Sequence, residues 1–389
     1  MPVDTSQVTD KNSYATDAER WEAFNKHWED QIRGKGLKFY EEHCMAKLRA
    51  CVVGDPWSVH IPNLTAEMDN MIKDNTTEEF KQYWRDNGNK LVRDVEPELY
   101  DQMVEAVADR DEKYEKAGVT IIKNRIGWYP DPVINFNDCF DGPKYLSIYN
   151  GAVWKMAGDN VLLGQTCGPV KQSESAIRPA TLALAKESPG TKLVGFPIHE
   201  PNPNVEGPGI AGLDSASFRQ MPGKTMLFGY GVTSPDQIDE AKRTGKGTVA
   251  GWPRGEKLFM RLLNELGYKS ETWWFDSRLS YHEDCVMMNL VEGVIGLPDD
   301  GKNGMWTELP DCIKDWEIFP IPVEDIKRGA ANSTTLGDGR IFINSKCTKT
   351  IDLLEKKGYE PIPVKYDILW ETFNSGMDCS DANIWREND

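Results

Sequence analysis

The sequence predicts an α/β protein assembled as a radial or closed array of one repeated unit: hairpin, helix, strand. Three observations predict it. Hairpins with Gly in their turns recur along the chain, helical segments lie between them, and a short apolar strand follows each helix. An ordinary mixed α/β sandwich is the alternative arrangement of the same elements.

Residues 1–46 read as a polar tail and then a helical stretch, Ala18 to Lys47, in which Trp21, Phe24, Trp28 and Ile32 recur at roughly helical spacing. They form an expected N-terminal appendage, and 47–389 a single α/β domain. Leu48 to Gly54 is the first apolar strand, ended by Gly-Asp-Pro. Four hairpins follow. Tyr149–Trp154 turns at Met156–Asp159 into Val161–Gly164, and Ser217–Arg219 turns at Pro222–Lys224 into Thr225–Phe228. Cys285–Leu290 turns at Glu292-Gly293 into Val294–Leu297, and Ser333–Leu336 turns at Gly337–Gly339 into Arg340–Ile343. Gly supplies the positive φ that such turns need. Helix Asp101–Ala117 precedes strand Val119–Ile122, Glu256–Leu266 precedes Thr272–Phe275, and Ile351–Lys357 precedes Pro361–Tyr366.

Composition narrows the function. Hydrophobic residues at 39% and charged residues at 28% are a globular balance rather than a disordered one. The net charge of -17 argues against nucleic-acid and anionic-membrane partners, which need a basic face. It is first of all a solvated acidic surface, and it also suits a cationic substrate. No apolar run approaches 18 residues, and Met1 to Lys11 lacks an apolar core, so neither a membrane span nor a secretory signal is expected. The eight cysteines include no CxxC pair and no zinc spacing; free thiols in the cytoplasm are expected, with no metal and no cofactor. Histidine occurs five times, which restricts the choice of a general base.

Few residues then remain as candidates for chemistry. His282 and Asp284 stand in Ser280-Tyr281-His282-Glu283-Asp284-Cys285, before an apolar hairpin; on an extended strand they share a face. A solvated cluster at a strand end is the plainer account. Cys379 stands in Asn374-Ser375-Gly376-Met377-Asp378-Cys379; a lone cysteine is ordinarily a small buried apolar residue, but the small residues before it allow a close approach. Asp159 and Asp214 lie beside repeated hairpins, where turn aspartates are common. In a radial array these equivalent positions converge on the axis.

With these residues in view, the chain resembles the arginine:glycine amidinotransferases, in the guanidine-modifying pentein superfamily with arginine deiminase and dimethylarginine hydrolase. The resemblance runs from about Leu48 to Arg386. It rests on Leu48–Gly54, Met103–Ile122, Met156–Leu163 (similar to an Arg-Asp strand motif), Leu213–Phe218 (similar to Phe-Asp-Ala-Ala-Asp-Phe), His282-Glu283-Asp284 (similar to His-x-Asp), and Cys379 with Ile384-Trp385-Arg386. It implies a five-bladed α/β propeller of pseudo-fivefold units with the site on the axis.

It also implies roles. Asp159 and Asp284 would grip a planar guanidinium with charge-assisted hydrogen bonds. Cys379 as thiolate would attack its central carbon. His282 would protonate the leaving amine and then deprotonate the incoming nucleophile, oriented by Asp214. The partners would be a small guanidino donor and an amine acceptor, whose transfer runs through an amidino group on sulfur. A homo-oligomer stays open.

The pattern departs from the family in places. Ser375-Gly376-Met377-Asp378 stands where Gly-Gly-x-His is common, and Gly158 where Arg is frequent. No Arg occurs between Arg278 and Arg328 to hold a substrate carboxylate. The expected donor therefore lacks an α-carboxylate, or carries a second cation that Asp378 or Glu283 could meet. Three readings follow: amidino transfer, hydrolysis of a guanidine by the same residues, and a binding protein that kept the fold without turnover.

Overall fold

One pairing rule recurs in every sheet. The computed structural model describes residues 22, 26, 29–30, 32–56, 59–61, 78–88, 90–124, 151, 154–163, 188, 190–195, 215–245, 247–251 and 253–389. Their strands fall into five sheets. The first holds β1 (Tyr40–Glu41), β2 (Leu48–Gly54), β3 (Thr120–Asn124) and the C-terminal β16 (Asp381–Arg386). The second holds β4 (Trp154–Ala157), β5 (Asn160–Leu163) and β6 (Lys192–Gly195), and the third β7 (Phe218–Met221), β8 (Thr225–Val232) and β9 (Lys269–Asp276). The fourth holds β10 (Met288–Val291), β11 (Val294–Pro298) and β12 (Glu317–Ile321), and the fifth β13 (Thr334–Thr335), β14 (Arg340–Asn344) and β15 (Glu360–Val364). In each, a middle strand pairs antiparallel with one neighbour and parallel with the other. No sheet closes on itself among the described residues.

Chain geometry explains the rule. Antiparallel partners can be joined by a tight turn, whereas parallel partners need a crossover. Gly158 and Gly293 take positive φ, 58° and 88°, in two of the tight turns. Helices make three of the crossovers: α1 (Pro97–Lys116) before β3, α2 (Pro253–Glu265) before β9, and α3 (Thr348–Lys356) before β15. The apolar face of α1 presents Met103, Ala106, Val107 and Tyr114 at helical spacing, all buried.

The core joins successive sheets. Phe218, Phe228 and Trp274 pack with Ala157 and Leu162 of the preceding sheet. Leu227, Trp273 and Phe275 pack with Ile295 and Leu297, and Met288, Leu290 and Phe319 pack with Ile341 and Ile343. Phe342 and Val364 pack with Cys51, Val53 and Ile121. Glu41 and Gly158 exchange backbone hydrogen bonds of 2.9 and 3.1 Å, which ties the first sheet to the second.

The expected hairpins and helices are present, with shifted ends. The helical reading of 18–47 fails in its second half: Gly34 and Gly36 at φ of 69° and 66° lie beyond the helical residues, and β1 follows. The chain thus joins the sheets by residue 40, ahead of the expected boundary at 46. Cys285 lies not in a strand but in a 3-10 turn, and the strand after it begins at Met288. Tyr149, Asn150, Ala152, Val153 and Gly164 of the first expected hairpin lie outside the described residues, as do Trp21, Phe24 and Trp28 of the expected N-terminal helix. No helix among the described residues is long and apolar enough to cross a membrane.

Candidate active site

The segment around Cys379 is built to hold one small helix in place. The preceding helix, Asp367–Phe373, ends on Asn374 at φ 50°, and Gly376 then starts the four-residue helix Met377–Ser380. The Cys379 backbone N–H donates to Oδ1 of Asn332 at 3.0 Å, and Asn332 Nδ2 donates to Cys379 Sγ at 3.1 Å. Cys379 Sγ lies 3.3 Å from Asp284 Oδ2. Cys285 shares the cluster, with its sulfur 3.2 Å from Asn332 Nδ2 and 3.3 Å from Asp284 Oδ1. Trp370 closes the apolar side. The hydrogen bond to Cys285, burial and the charge of Asp284 push the Cys379 thiol well above its ordinary range.

Asp284 reaches Cys379 by a route the strand reading did not foresee. Glu283–Cys285 is a 3-10 turn with His282 extended just before it, φ -110° and ψ 165°. Strand alternation therefore does not set their faces, because a 3-10 turn has about three residues per turn. Asp284 is 1% exposed and meets the sulfur. His282 is buried too, with its ring centroid 4.1 Å from that of Tyr281.

The other expected site residues stand elsewhere. Asp159 is in the β4–β5 turn, its side chain 45% exposed and 3.0 Å from Lys192 Nζ. The opposite end of that hairpin faces Cys379: a side chain at Gly151 would strike the backbone of Asp378, Cys379 and Asp381. Asp159 is therefore not among the groups around Cys379, because the strand carries it away from that end. Asp378 does not face a substrate cation. Its Oδ2 lies 2.7 Å from Arg219 Nη2 and 3.7 Å from Lys155 Nζ. Burial alone would raise its pKa; Arg219, Lys155 and Arg386 outweigh this and hold it low. Glu283 is fully buried against Gly229 and Trp273, and burial raises its pKa well above the carboxylate range despite Arg219. That site disfavours a charge that would meet a substrate. Asp214 lies outside the described residues.

Structural support for Cys379 comes from residues the sequence did not mark. Arg110 donates to Ser380 Oγ at 2.7 Å and to the Gly54 carbonyl at 2.9 Å, and pairs with Asp381 at 3.4 Å. Tyr114 also donates to Asp381. Cys379 is thus gripped on both sides, through Asp378 by Arg219 and through Ser380 and Asp381 by Arg110. Beside it runs a small polar cleft. Lys155, Arg219, Asn289, Thr335 and Asn383 line it, one from each of β4, β7, β10, β13 and β16.

No family model and no curated sequence matches the chain. Solved structures do. One is SxtG, an amidinotransferase from Microseira wollei in the saxitoxin biosynthetic pathway: TM-score 0.66, 14% identity, 91% of this chain and 98% of that one. A second is the inosamine-phosphate amidinotransferase StrB1 from Streptomyces griseus: TM-score 0.68, 14% identity, 91% and 97%. A third is DDAH from Pseudomonas aeruginosa complexed with citrulline: TM-score 0.53, 12% identity, 86% and 99%. The chain has the fold of the solved amidinotransferases.

Identity this low speaks for the amidinotransferase fold and leaves the chemistry to the site. On this fold the chain sets a carboxylate, two thiols and an amide around one point. One oxygen of Asp284 and the sulfurs of Cys285 and Cys379 lie within 4.8 Å of one another, a donor set that a thiophilic cation could use. Without such an ion, a buried carboxylate beside a protonated thiol favours a cationic ligand.

Proposed function

We propose that the chain is an amidinotransferase that moves an amidino group from a guanidino donor to an amine through Cys379. The contact of Asp284 with Cys379 carries this reading. Asp284 holds one edge of a guanidinium, placing its carbon against the sulfur. The cation offsets the charge of Asp284 and favours the thiolate. Cys379 gives its proton to His282 and attacks the carbon, His282 passes that proton to the leaving amine and later takes one from the acceptor, and Asp214 orients His282. Asp159, paired with Lys192, has no part in it.

We take the five sheets to be the blades of an α/β propeller. The cleft supports this, since the corresponding strand of every sheet contributes at least one residue to its lining. Hydrolysis is the second reading, favoured by the likeness to DDAH. Labelled water separates the two. Transfer gives a new guanidine that requires the added amine and carries no label, whereas hydrolysis puts the label into a urea-type product without any amine. The protein is expected to act in the cytoplasm, on small molecules.

A further inference from the structure

We propose that Asn332 is a further catalytic residue, whose amide N–H stabilises the Cys379 thiolate while its carbonyl fixes the nucleophile's backbone. The inference rests on Cys379 being the nucleophile. Asn332 is fully buried in the stretch between β12 and β13, far from Cys379 in sequence. Its orientation is set by the network. The Cys379 backbone N–H needs an acceptor and finds Oδ1 at 3.0 Å, so Nδ2 must face the sulfurs. There it stands 3.1 Å from Cys379 Sγ and 3.2 Å from Cys285 Sγ.

The surrounding chain is shaped around this amide. The Met377 backbone N–H donates to the backbone carbonyl of Asn332 at 3.2 Å. A Cβ at Gly376 would lie 2.6 Å from Cβ and Cγ of Asn332, so only glycine lets the nucleophile's helix approach so closely. Thiolate formation in this pocket meets opposition, because Asp284 puts a negative charge 3.3 Å from the sulfur. An N–H donor favours the charged form. Among the described contacts of Cys379 Sγ, Asn332 supplies such a donor, and it loses no proton when Cys379 gives its own to a base. The neighbouring thiol of Cys285 competes for the same amide.

The test is alkylation of the whole chain by iodoacetamide over a range of pH, with the modified peptide identified by mass. It needs no guanidine, so it can fail or succeed independently of the proposed reaction. The midpoint of the pH profile at Cys379 is read rather than the rate, since burial slows every variant. Asn332→Ala should raise the midpoint by about one pH unit. Cys285→Ala should lower it, because the hydrogen bond between the two thiols is lost and the amide then serves one sulfur, and this gain should shrink in the Asn332→Ala background. A folded Asn332→Ala protein with an unchanged midpoint overturns the proposal. If Asn332→Ala does not fold, Asn332→Asp keeps the shape and the acceptor for the Cys379 N–H but loses the donor. Its midpoint must rise, and an unchanged one overturns the proposal equally.

Discussion

Oδ2 of Asp284 stands 3.3 Å from Sγ of Cys379, and both groups are almost wholly buried. A carboxylate so near a thiol has two opposite effects. It opposes the thiolate in the free protein and attracts a cation that would reverse this.

Asp284→Asn separates the two effects. In the free protein, Cys379 should be alkylated at lower pH, since a negative charge has gone. Affinity for a guanidine donor should fall by about 1.5–3 kcal/mol, the worth of a charged hydrogen bond, while a neutral urea analogue is held almost as before. Alkylation profiles and calorimetric titration in a Cys379→Ala background read these separately. Equal losses for both ligands would mean that Asp284 does not read the charge.

The Arg219–Asp378 pair is a matter of stability. Asp378→Asn leaves the guanidinium of Arg219 buried at 4% exposure without its nearest anion. Removing one partner of a buried pair costs about 3–5 kcal/mol. Denaturant unfolding should show a loss of that order, and Arg219→Met combined with Asp378→Asn should recover much of it. A loss under about 1 kcal/mol would put the pair in the class of exposed ion pairs.

Stability should fall with rising pH across the weakly acidic range. Burial raises Glu41 from 4.5 to about 7, against the pull of Arg386, Lys155 and Arg219. Burial likewise raises Asp381 to about 6, against Arg110. A carboxyl with a higher pKa in the folded than in the unfolded chain holds its proton more tightly when folded. Its contribution is therefore full below about pH 4.5 for Glu41 and is lost as the pH approaches 7. Glu41→Gln should flatten this slope and stabilise the protein above pH 7, by on the order of 3 kcal/mol at about 1.4 kcal/mol per pH unit. Unfolding midpoints for both proteins between pH 4 and 8, on the order of single units apart, check this; parallel curves would contradict it.

The four hairpins were legible because Gly marks their turns locally. The fifth pairing, β16 with β2, was not, because it joins Asp381–Arg386 to Leu48–Gly54 at the other end of the chain. Cys379 and Asp284 were legible as candidates, and their contact is a fact of tertiary structure. Arg110 carries a signal in the sequence: a cation on the apolar stripe of α1, between Val107 and Tyr114, implies a buried partner. Asn332 left none, as a single Asn in Ala330-Ala331-Asn332-Ser333 looks like any loop residue. Asp159 stands apart because a turn aspartate beside a repeated hairpin is at the wrong end of that hairpin to meet Cys379.

The proposed transfer requires a covalent amidino group on Cys379. Intact-protein and peptide mass analysis after incubation with a panel of guanidino donors tests it directly. An increment of one amidino group is expected on the peptide that contains Cys379, lost on adding an amine acceptor and absent in Cys379→Ala. An adduct that persists in Cys379→Ala on another cysteine, or product formed by Cys379→Ala within about tenfold of the wild-type rate, would contradict it.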